Sequence, residues 1–378
     1  MDNNTDFLRK ERQERVMRAI RNEKNDRTPL MMPGDCALLR YSKPDATFKW
    51  MVEHPVEMNR IIADQTLALL PKVDFMGGSC GKSPRFLGAI WLGKTLLPGK
   101  ELPENEMWQP VLGGTIRDGD YELIADKGWS WFRDMCLYER LQLPKDEMAE
   151  DRAISMGNTE NLYDHGYPFV KGPPTPAAFD FLCLGRGPMD FLVDLITDPD
   201  PVHAAIDTIL EEYLATGDSL KKQVAAAAEK GEVTMINVNP CVYANCDMVS
   251  RAVFEEFGWP LIKKISDHVL ASGANIFFHM DTNWTDFLDY FSEFPAGRCI
   301  FDSDGGTDLI KLRDMHGNRF AITGNISPTL LAFGTPDDVY KECRRQIEEM
   351  GDSFILAPAC SLPANTPKAN IDAMYAAV

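Results

Sequence analysis

The residues best suited to chemistry are a histidine, several carboxylates and two cysteines, each placed after a short apolar run. His279 and Asp281 follow the run NIFF, Asp302 follows CIF, and Cys360 follows FILAPA. Cys241 lies just beyond the run EVTMINVN. Imidazole nitrogen, thiolate sulfur and carboxylate oxygen all bind zinc, and a catalytic zinc uses three protein ligands and leaves one position open. These residue types therefore make a mononuclear zinc site one candidate.

Each of these residues also has an ordinary structural interpretation. A histidine at a strand end is often a hydrogen-bonded structural residue, and a buried cysteine usually acts as a small hydrophobe, as we expect for Cys183, Cys299 and Cys343. Asp281 could cap the helix that follows it. Because side chains alternate along an extended segment, His279 and Asp281 should face the same side. No C-x-x-C or H-E-x-x-H motif is present, so zinc remains one possibility among several.

Further polar residues stand at the same kind of position. Asp302 and Asp304 follow one apolar run, and neighbouring carboxylates raise one another's pKa, which suits proton transfer. Two solvated loop acids are the alternative. We therefore take Asp281, Asp302 and Asn237 as catalytic candidates, and Asn325 as a candidate cofactor-binding residue.

The elements that must position these residues alternate between strands and helices. Apolar runs predict strands at residues 30–32, 73–76, 167–171, 232–239, 275–279, 298–301, 319–323 and 353–357. Apolar periodicity predicts helices at residues 54–70, 199–229, 250–272, 284–293, 307–316 and 336–350, after an exposed, charged helix at 6–24. Eight such repeats favour a (β/α)8 TIM barrel, whose catalytic groups lie at the carboxyl ends of its strands. A doubly wound open sheet is the alternative, but no G-x-G-x-x-G follows the first strand.

The length of 378 residues suits one barrel domain with an insertion. We expect this single domain to span residues 1–378, with residues of about 80–165 inserted after the second strand. That segment is irregular and rich in Trp, Gly and Pro. We expect some strand pairing in it, and we expect it to cover the mouth of the barrel.

The composition excludes several classes of function. Its 57 acidic residues outnumber the 39 basic ones, and a formal charge of -18 repels nucleic-acid backbones. No apolar stretch of about 18 residues could cross a membrane, and the polar N-terminus does not resemble a secretion signal. Nine scattered cysteines without such a signal indicate reduced thiols. We therefore predict a cytoplasmic protein that binds neither nucleic acid nor a membrane.

Three segments of the C-terminal half resemble the uroporphyrinogen decarboxylase superfamily. They are FFHMD (277–281), ITGNISPTLLAFGTPDDV (322–339) and FILAPACSLPANTPKANIDAM (354–374), and DRTPL (26–30) is similar to the superfamily's entry into its first strand. The likeness covers residues of about 25–75 and 165–378 and leaves the middle insertion unexplained. Independently of the strand pattern, it implies a (β/α)8 barrel.

The superfamily holds two chemistries. Its porphyrinogen decarboxylases bind an eight-carboxylate substrate through an arginine-rich segment after the first strand, where this sequence offers only Arg40 and Lys43. Its other branch comprises zinc-dependent, corrinoid-linked methyltransferases, which resemble this chain in the strand-end His279 and in Cys360. The thiol-methylating members have H-x-C where this chain has His279-x-Asp281. An oxygen ligand would make zinc a harder Lewis acid, which suits an ether oxygen better than a thiol.

The resemblance therefore implies transfer of a methyl group from a small methylated substrate, such as an aryl methyl ether, to a corrinoid (O-demethylation). Zinc would be held by His279 and Cys360, with a third ligand from Cys241 or Asp281. The corrinoid is expected on a partner protein, because the sequence has no D-x-H-x-x-G loop. The tryptophans of the insertion (Trp91, Trp108, Trp129 and Trp131) could form a wall for an aryl ring, or simply pack the insertion. The alternatives are methyl transfer from a methylcorrinoid to a thiol, metal-free decarboxylation, and a non-enzymatic scaffold.

Overall fold

An eight-stranded parallel sheet organises the chain. The computed structural model describes residues 3–77, 84–168, 170–171, 175–239 and 241–378. The strands are β1 Leu30–Pro33, β2 Val73–Gly77, β3 Lys94–Leu96, β4 Gln109–Val111, β5 Val170–Lys171, β6 Thr234–Val238, β7 Asn275–Met280, β8 Cys299–Ser303, β9 Ala321–Ile326 and β10 Phe354–Pro358. The main sheet has the order β2-β1-β10-β9-β8-β7-β6-β5, while β3 and β4 form a separate antiparallel pair. Each of the eight predicted strands corresponds to one strand of the main sheet.

The strand order follows the circuit of a barrel. Strand β1 pairs with β2 on one side and with β10, the last strand of the chain, on the other. From β5 to β10, each strand pairs with the one that follows it in the sequence, so the order shows no reversal of the kind that defines a doubly wound sheet. Among the residues that the structure describes, no strand pairing joins β2 to β5, the two edges of the sheet. Closure of the ring therefore stays a prediction.

Helices connect the strands and cover the sheet. The α-helices are α1 Asn3–Ile20, α2 Cys36–Ser42, α3 Phe48–Glu53, α4 Pro55–Ile61, α5 Gly88–Trp91, α6 Asp120–Lys127, α7 Trp129–Met135, α8 Lys145–Asp164, α9 Ala178–Arg186, α10 Pro188–Thr197, α11 Pro199–Leu214, α12 Gly217–Glu229, α13 Arg251–Val253, α14 Trp259–Ala271, α15 Leu309–His316, α16 Pro328–Phe333, α17 Pro336–Met350 and α18 Lys368–Ala376. Short π-helical turns span Ile62–Thr66, Cys136–Arg140 and Phe254–Gly258, and 3-10 turns span Leu67–Leu69, Pro84–Phe86, Val242–Ala244, Thr285–Glu293 and Gly351–Ser353. None of the described helices is both long and apolar enough to cross a membrane.

Most predicted helices are present, with local differences. The predicted helix at 199–229 is two helices, α11 and α12, and the one at 284–293 is a 3-10 helix. The start of α17 follows directly from sequence. Thr335 and Asp338 form a reciprocal capping box there, which satisfies backbone N–H groups that no helical carbonyl can reach.

Helix α1 differs most from the prediction of an exposed helix. Its side chains Val16, Met17, Ala19 and Ile20 are buried in one cluster with residues of seven strands. The strand residues of this cluster are Met31, Phe75, Met235, Phe277, Ile300, Ala321, Ile355 and Ala357. Because residues of seven strands belong to one buried cluster, the sheet is curled around a common interior. Gln13 of α1 bonds to Gly231 and Val233, and Asn22, just after α1, accepts the hydroxyl of Ser353. These partners each precede a strand, so α1 lies at the amino-terminal edge of the sheet.

The segment between β2 and β5 is more helical than predicted. The pair β3–β4 supplies the expected strand pairing, but α5 to α8 occupy much of the remainder. Helices α6 and α7 pack against α11, and α8 packs against α4. These contacts are with the helical layer, so they do not support the expectation that the segment covers the barrel mouth.

Candidate metal centre

His279 and Asp302 are neighbours because of the sheet register. His279 is the penultimate residue of β7, and it lies directly opposite Asp302 of β8. In parallel strands, residues in register project to the same face. The imidazole Nδ1 is 2.7 Å from Asp302 Oδ2, so Nδ1–H donates to this carboxylate. The ring is thereby oriented with its other nitrogen, Nε2, directed away from β8.

Two further donor atoms lie near Nε2. Asp281 Oδ2 is 3.3 Å from it, and Cys360 reaches the same place from the loop after β10. One ligand atom from each of His279, Asp281 and Cys360 lies within 4.8 Å of the other two. Within the described ranges, these three residues form the single such group of His, Cys, Asp and Glu side chains. Strand β10 is three strands away from β7, so it is the curl of the sheet that brings them together.

The geometry of this group fits a zinc ion. Zinc lies about 2.0–2.3 Å from its nitrogen, oxygen and sulfur ligands, so small side-chain adjustments would bring all three donors to one ion. Zinc-bound histidines almost always donate their other ring N–H to a carboxylate or carbonyl, which fixes the tautomer. Asp302 accepts that hydrogen bond here. The donor set therefore has both the ligand types and the supporting carboxylate of a catalytic zinc site.

The charges of the group act strongly on one another. Burial alone would lower the pKa of His279, but hydrogen bonds to Asp281 and Asp302 raise it well above its usual value. Burial raises the pKa of Asp302, which is 5% exposed. Cys360 is exposed as a whole residue, yet desolvation of its thiol, followed by the charge of Asp281, raises the pKa of the thiol. A cation at the centre would relieve the crowding of negative groups.

Cys241 lies outside this group. Its side chain is buried, and burial followed by the charge of Asp180 raises the pKa of its thiol well above the usual value. Its backbone has φ of 64°, a left-handed conformation that is costly for a side-chain-bearing residue. Of the two residues considered for the third ligand, the structure brings Asp281 rather than Cys241 to His279 and Cys360.

The two asparagines lie near the carboxyl ends of strands but outside the donor group. Asn237 is exposed, and its backbone carbonyl accepts the hydroxyl of Thr175 at 2.9 Å. Asn325 is half-buried in a left-handed conformation with φ of 72°, and its carbonyl accepts Gln346 Nε2 at 3.1 Å. Their catalytic and cofactor-binding roles stay predictions.

The two aspartates at the end of β8, Asp302 within it and Asp304 just after it, have separate partners. Asp304 accepts the backbone N–H groups of Thr282 and Gly306, each at 2.8 Å, while Asp302 bonds to His279. Asp304 therefore fixes the loop after β7 by binding backbone. The alternative of two solvated loop acids also fails for Asp302, because this residue is buried.

Two further buried carboxylates support the rim, one in α9 and one just after β1. Asp180 of α9 accepts the N–H groups of Val242 and Tyr243, next to Cys241. Asp35 accepts the N–H of Leu362, two residues after Cys360. Burial raises the pKa of both carboxyl groups to about 7. The sequence placed Asp35 near the end of the first strand, but it did not reveal the distant partner Leu362.

The tryptophans of the middle segment mainly pack its core. Trp108 meets the ring of Phe48 edge-on, with ring centroids 5.9 Å apart. Trp129 is buried and stacks on Phe181 of α9 at 5.4 Å. Trp131 is exposed. These contacts agree with ordinary packing, and they do not support a shared aromatic wall.

The chain belongs to a known family. Residues 169–378, more than half of the chain, match the family model described as uroporphyrinogen decarboxylase (URO-D). No curated protein matches the sequence. Among solved structures, a methyltransferase from Methanosarcina mazei is similar, with a TM-score of 0.64 and 16% identity over 97% of each chain. At that identity the likeness is one of fold. The protein is a member of the uroporphyrinogen decarboxylase family.

Proposed function

We propose that this protein is a zinc-dependent methyltransferase that moves a methyl group from a small methylated substrate, an aryl methyl ether, to a corrinoid on a partner protein. The observation that carries the proposal is the convergence of His279, Asp281 and Cys360 at the carboxyl ends of the strands. Family membership and the fold likeness to a methyltransferase support it.

Each residue of the site has a definite task in this proposal. His279 Nε2, Asp281 and Cys360 hold the ion, and Asp302 keeps the proton on Nδ1 so that Nε2 presents its lone pair. The loop that carries Asp281 is held by Trp284, whose indole N–H donates to the Asp281 carbonyl at 2.7 Å. A bound zinc ion would supply a Lewis acid that withdraws charge from the substrate oxygen.

The bond changes of the proposed reaction balance without an oxidant. The methyl carbon–oxygen bond breaks, and its electron pair stays on the oxygen, which takes a proton from water to give a phenol. A corrinoid in its cobalt(I) state, the proposed methyl acceptor, would supply the electron pair for the new bond to the methyl carbon. Because the corrinoid is carried by a partner protein, it would reach the methyl group from outside the rim of the sheet. Cys360 is exposed at this rim.

The decarboxylase alternative lacks free cationic groups in the described segment that follows β1. Arg40, which the sequence offered for a polyanionic substrate, donates to the carbonyls of Ala46 and Ala364 at 3.0 and 3.1 Å. Lys43 lies 3.5 Å from Asp45. A substrate with eight carboxylates needs several unengaged cations, and this segment does not provide them.

Metal analysis tests the first half of the proposal. Protein purified without chelators should contain about one zinc per chain, and His279→Ala should lose it. His203→Ala is the matched control, because His203 is a surface histidine paired with Glu256. Absence of zinc from the native protein, or full zinc occupancy in His279→Ala, would remove the proposal.

Methyl-transfer assays test the second half. The zinc-loaded protein should methylate cob(I)alamin with an aryl methyl ether, and more slowly with methanol or an alkyl ether. Demethylation of methylcobalamin by a thiol, without the ether reaction, would reverse the assigned direction. Release of carbon dioxide from uroporphyrinogen would replace methyl transfer by decarboxylation.

A further inference from the structure

The loop between β10 and α18 delivers Cys360 to the rim, and it is fixed at three points. Its first residue, Ala359, donates its N–H to the carbonyl of Ile326 at 3.0 Å. Leu362 donates its N–H to Asp35 Oδ2 at 2.6 Å, and Arg40 donates to the carbonyl of Ala364. Cys360 lies between the first two of these anchors. Its placement therefore depends on where Leu362 is held.

We propose that Asp35 is a positioning residue for Cys360, which it holds in reach of His279 and Asp281 through the backbone of Leu362. The inference rests on the metal site of the proposed function, and it assigns a task to a residue that touches none of the three donors. Strands β1 and β10 are adjacent in the sheet, so the loop after β1 lies directly beside the loop that carries Cys360.

The two carboxylate oxygens of Asp35 accept hydrogen bonds from different parts of the chain. Oδ1 accepts the N–H groups of Ala37 and Leu38, at 3.1 and 3.5 Å, and so caps α2. Oδ2 accepts the N–H of Leu362. A residue that only caps the helix needs one acceptor, and serine or asparagine would suffice. The second oxygen is therefore the part of this side chain that serves the loop.

The surroundings make this hydrogen bond hard to replace. The side chain of Leu362 is buried at 3% exposure, which ties the loop to the core next to the bond. A buried N–H that loses its acceptor must move toward another acceptor or toward water. Any such movement of Leu362 carries Cys360 with it, because only Ser361 separates the two residues.

Two substitutions separate the cap from the loop contact. Asp35→Ser keeps an acceptor for α2, but its hydroxyl is too short to reach Leu362 as well. Asp35→Asn keeps one oxygen and places an amide N–H₂ at the other position. Asp308→Asn is the matched control, because Asp308 caps α15 by accepting Lys311 N–H at 2.9 Å and, among the described residues, has no hydrogen bond to the Cys360 loop.

The readouts are zinc affinity and the spectrum of the cobalt(II)-substituted protein. Cobalt(II) bound to a thiolate gives a sulfur-to-metal charge-transfer band, which reports on Cys360 directly. In Asp35→Ser and Asp35→Asn we expect this band to weaken or shift, and zinc affinity to fall by about 10–100-fold, as for other supporting residues of metal sites. Asp308→Asn should match the native protein in both measurements.

The result separates this inference from the proposed function. If the native protein shows the charge-transfer band and the Asp35 variants keep the native band and zinc affinity, the role of Asp35 is overturned. The metal site is then unaffected. A native protein that binds neither metal would overturn both. Loss of affinity to the same degree in Asp308→Asn would reduce the effect to general loss of a helix cap, and would also overturn the inference.

Discussion

Both ends of the sheet contain a buried carboxylate, but the two carboxylates differ in how fully they are hydrogen-bonded. At the amino-terminal edge, Asp74 of β2 is fully buried and accepts four hydrogen bonds from Arg15, Arg27 and the N–H of Leu30, at 2.7–3.0 Å. At the carboxyl end, Asp302 has one oxygen bonded to His279. Its other oxygen is buried and has no partner among the residues that the structure describes.

The difference separates a structural use of charge from a functional one. A buried carboxylate whose oxygens all accept hydrogen bonds from cations and N–H groups is already stabilised by the fold itself. A buried oxygen without a partner costs free energy, and such atoms usually mark a functional site or a bound water. At the carboxyl end, Cys241, Thr282 and Asn325 also adopt left-handed backbone conformations, which are costly for residues with a side chain.

The first way to test this comparison is to break the amino-terminal network. Asp74→Ala leaves Arg15 and Arg27 without their shared buried partner, so the free energy of unfolding should fall by about 3–5 kcal/mol. Urea unfolding measures this loss, and zinc affinity of the folded variant should not change. A loss below about 1 kcal/mol would mean that the network contributes no more than a surface ion pair.

At the carboxyl end, removal of a ligand should have the opposite signature. Asp281→Ala should lower zinc affinity by about 100-fold or more, because it removes one of three donors, with only a small change in stability. Cys241→Ala is the comparison variant, and its zinc affinity should stay within about threefold of the native value. Competition with a zinc-binding dye measures both. A larger loss for Cys241→Ala than for Asp281→Ala would exchange the two residues in the ligand set.

Removal of the supporting carboxylate should have a smaller effect on the metal. Asp302→Ala removes the acceptor of the His279 Nδ1–H, so the ring loses its fixed tautomer and zinc affinity should fall by about 10–100-fold. Because this carboxyl already has an unpaired buried oxygen, the variant should lose less stability than Asp74→Ala. Isothermal titration with zinc and urea unfolding of both variants give the comparison. Equal losses of stability would remove the distinction between the two ends.

The sequence predicted the carboxyl end of the sheet better than the amino end. His279 and Cys360 follow apolar runs, and the strand-end rule places both at one rim whatever the loops do. Helix α1 was predicted to be exposed because its charges lie on all sides. Arg9 and Arg12 are in fact buried, with their guanidinium groups over the rings of Tyr163 and Tyr167. Those partners lie far away in the chain, and no local pattern reveals them.

Local sequence patterns also did not predict the contacts that support the site. The pairing of His279 with Asp302 depends on register, which the lengths of two adjacent strands could have suggested. The bond from Leu362 to Asp35 joins opposite ends of the chain, and it forms only because β10 returns to lie beside β1. Strand ends thus predict which residues meet, while the supporting carboxylates depend on the completed fold.

The smallest expected effect concerns acid stability at the amino-terminal edge. The hydrogen bond from Arg15 lowers the pKa of Asp26 to about 2, below the unfolded value of about 3.9. The folded protein therefore binds this proton less readily, and the stabilising contribution is complete above about pH 4 and is lost as the pH falls toward 2. The Asp26 side chain is 62% exposed, so the contribution should be under about 1 kcal/mol. Unfolding of Asp26→Asn and the native protein between pH 5 and about pH 2 should give curves that converge at the acid end. Parallel curves over that range would show that Asp26 adds nothing to the network around Asp74.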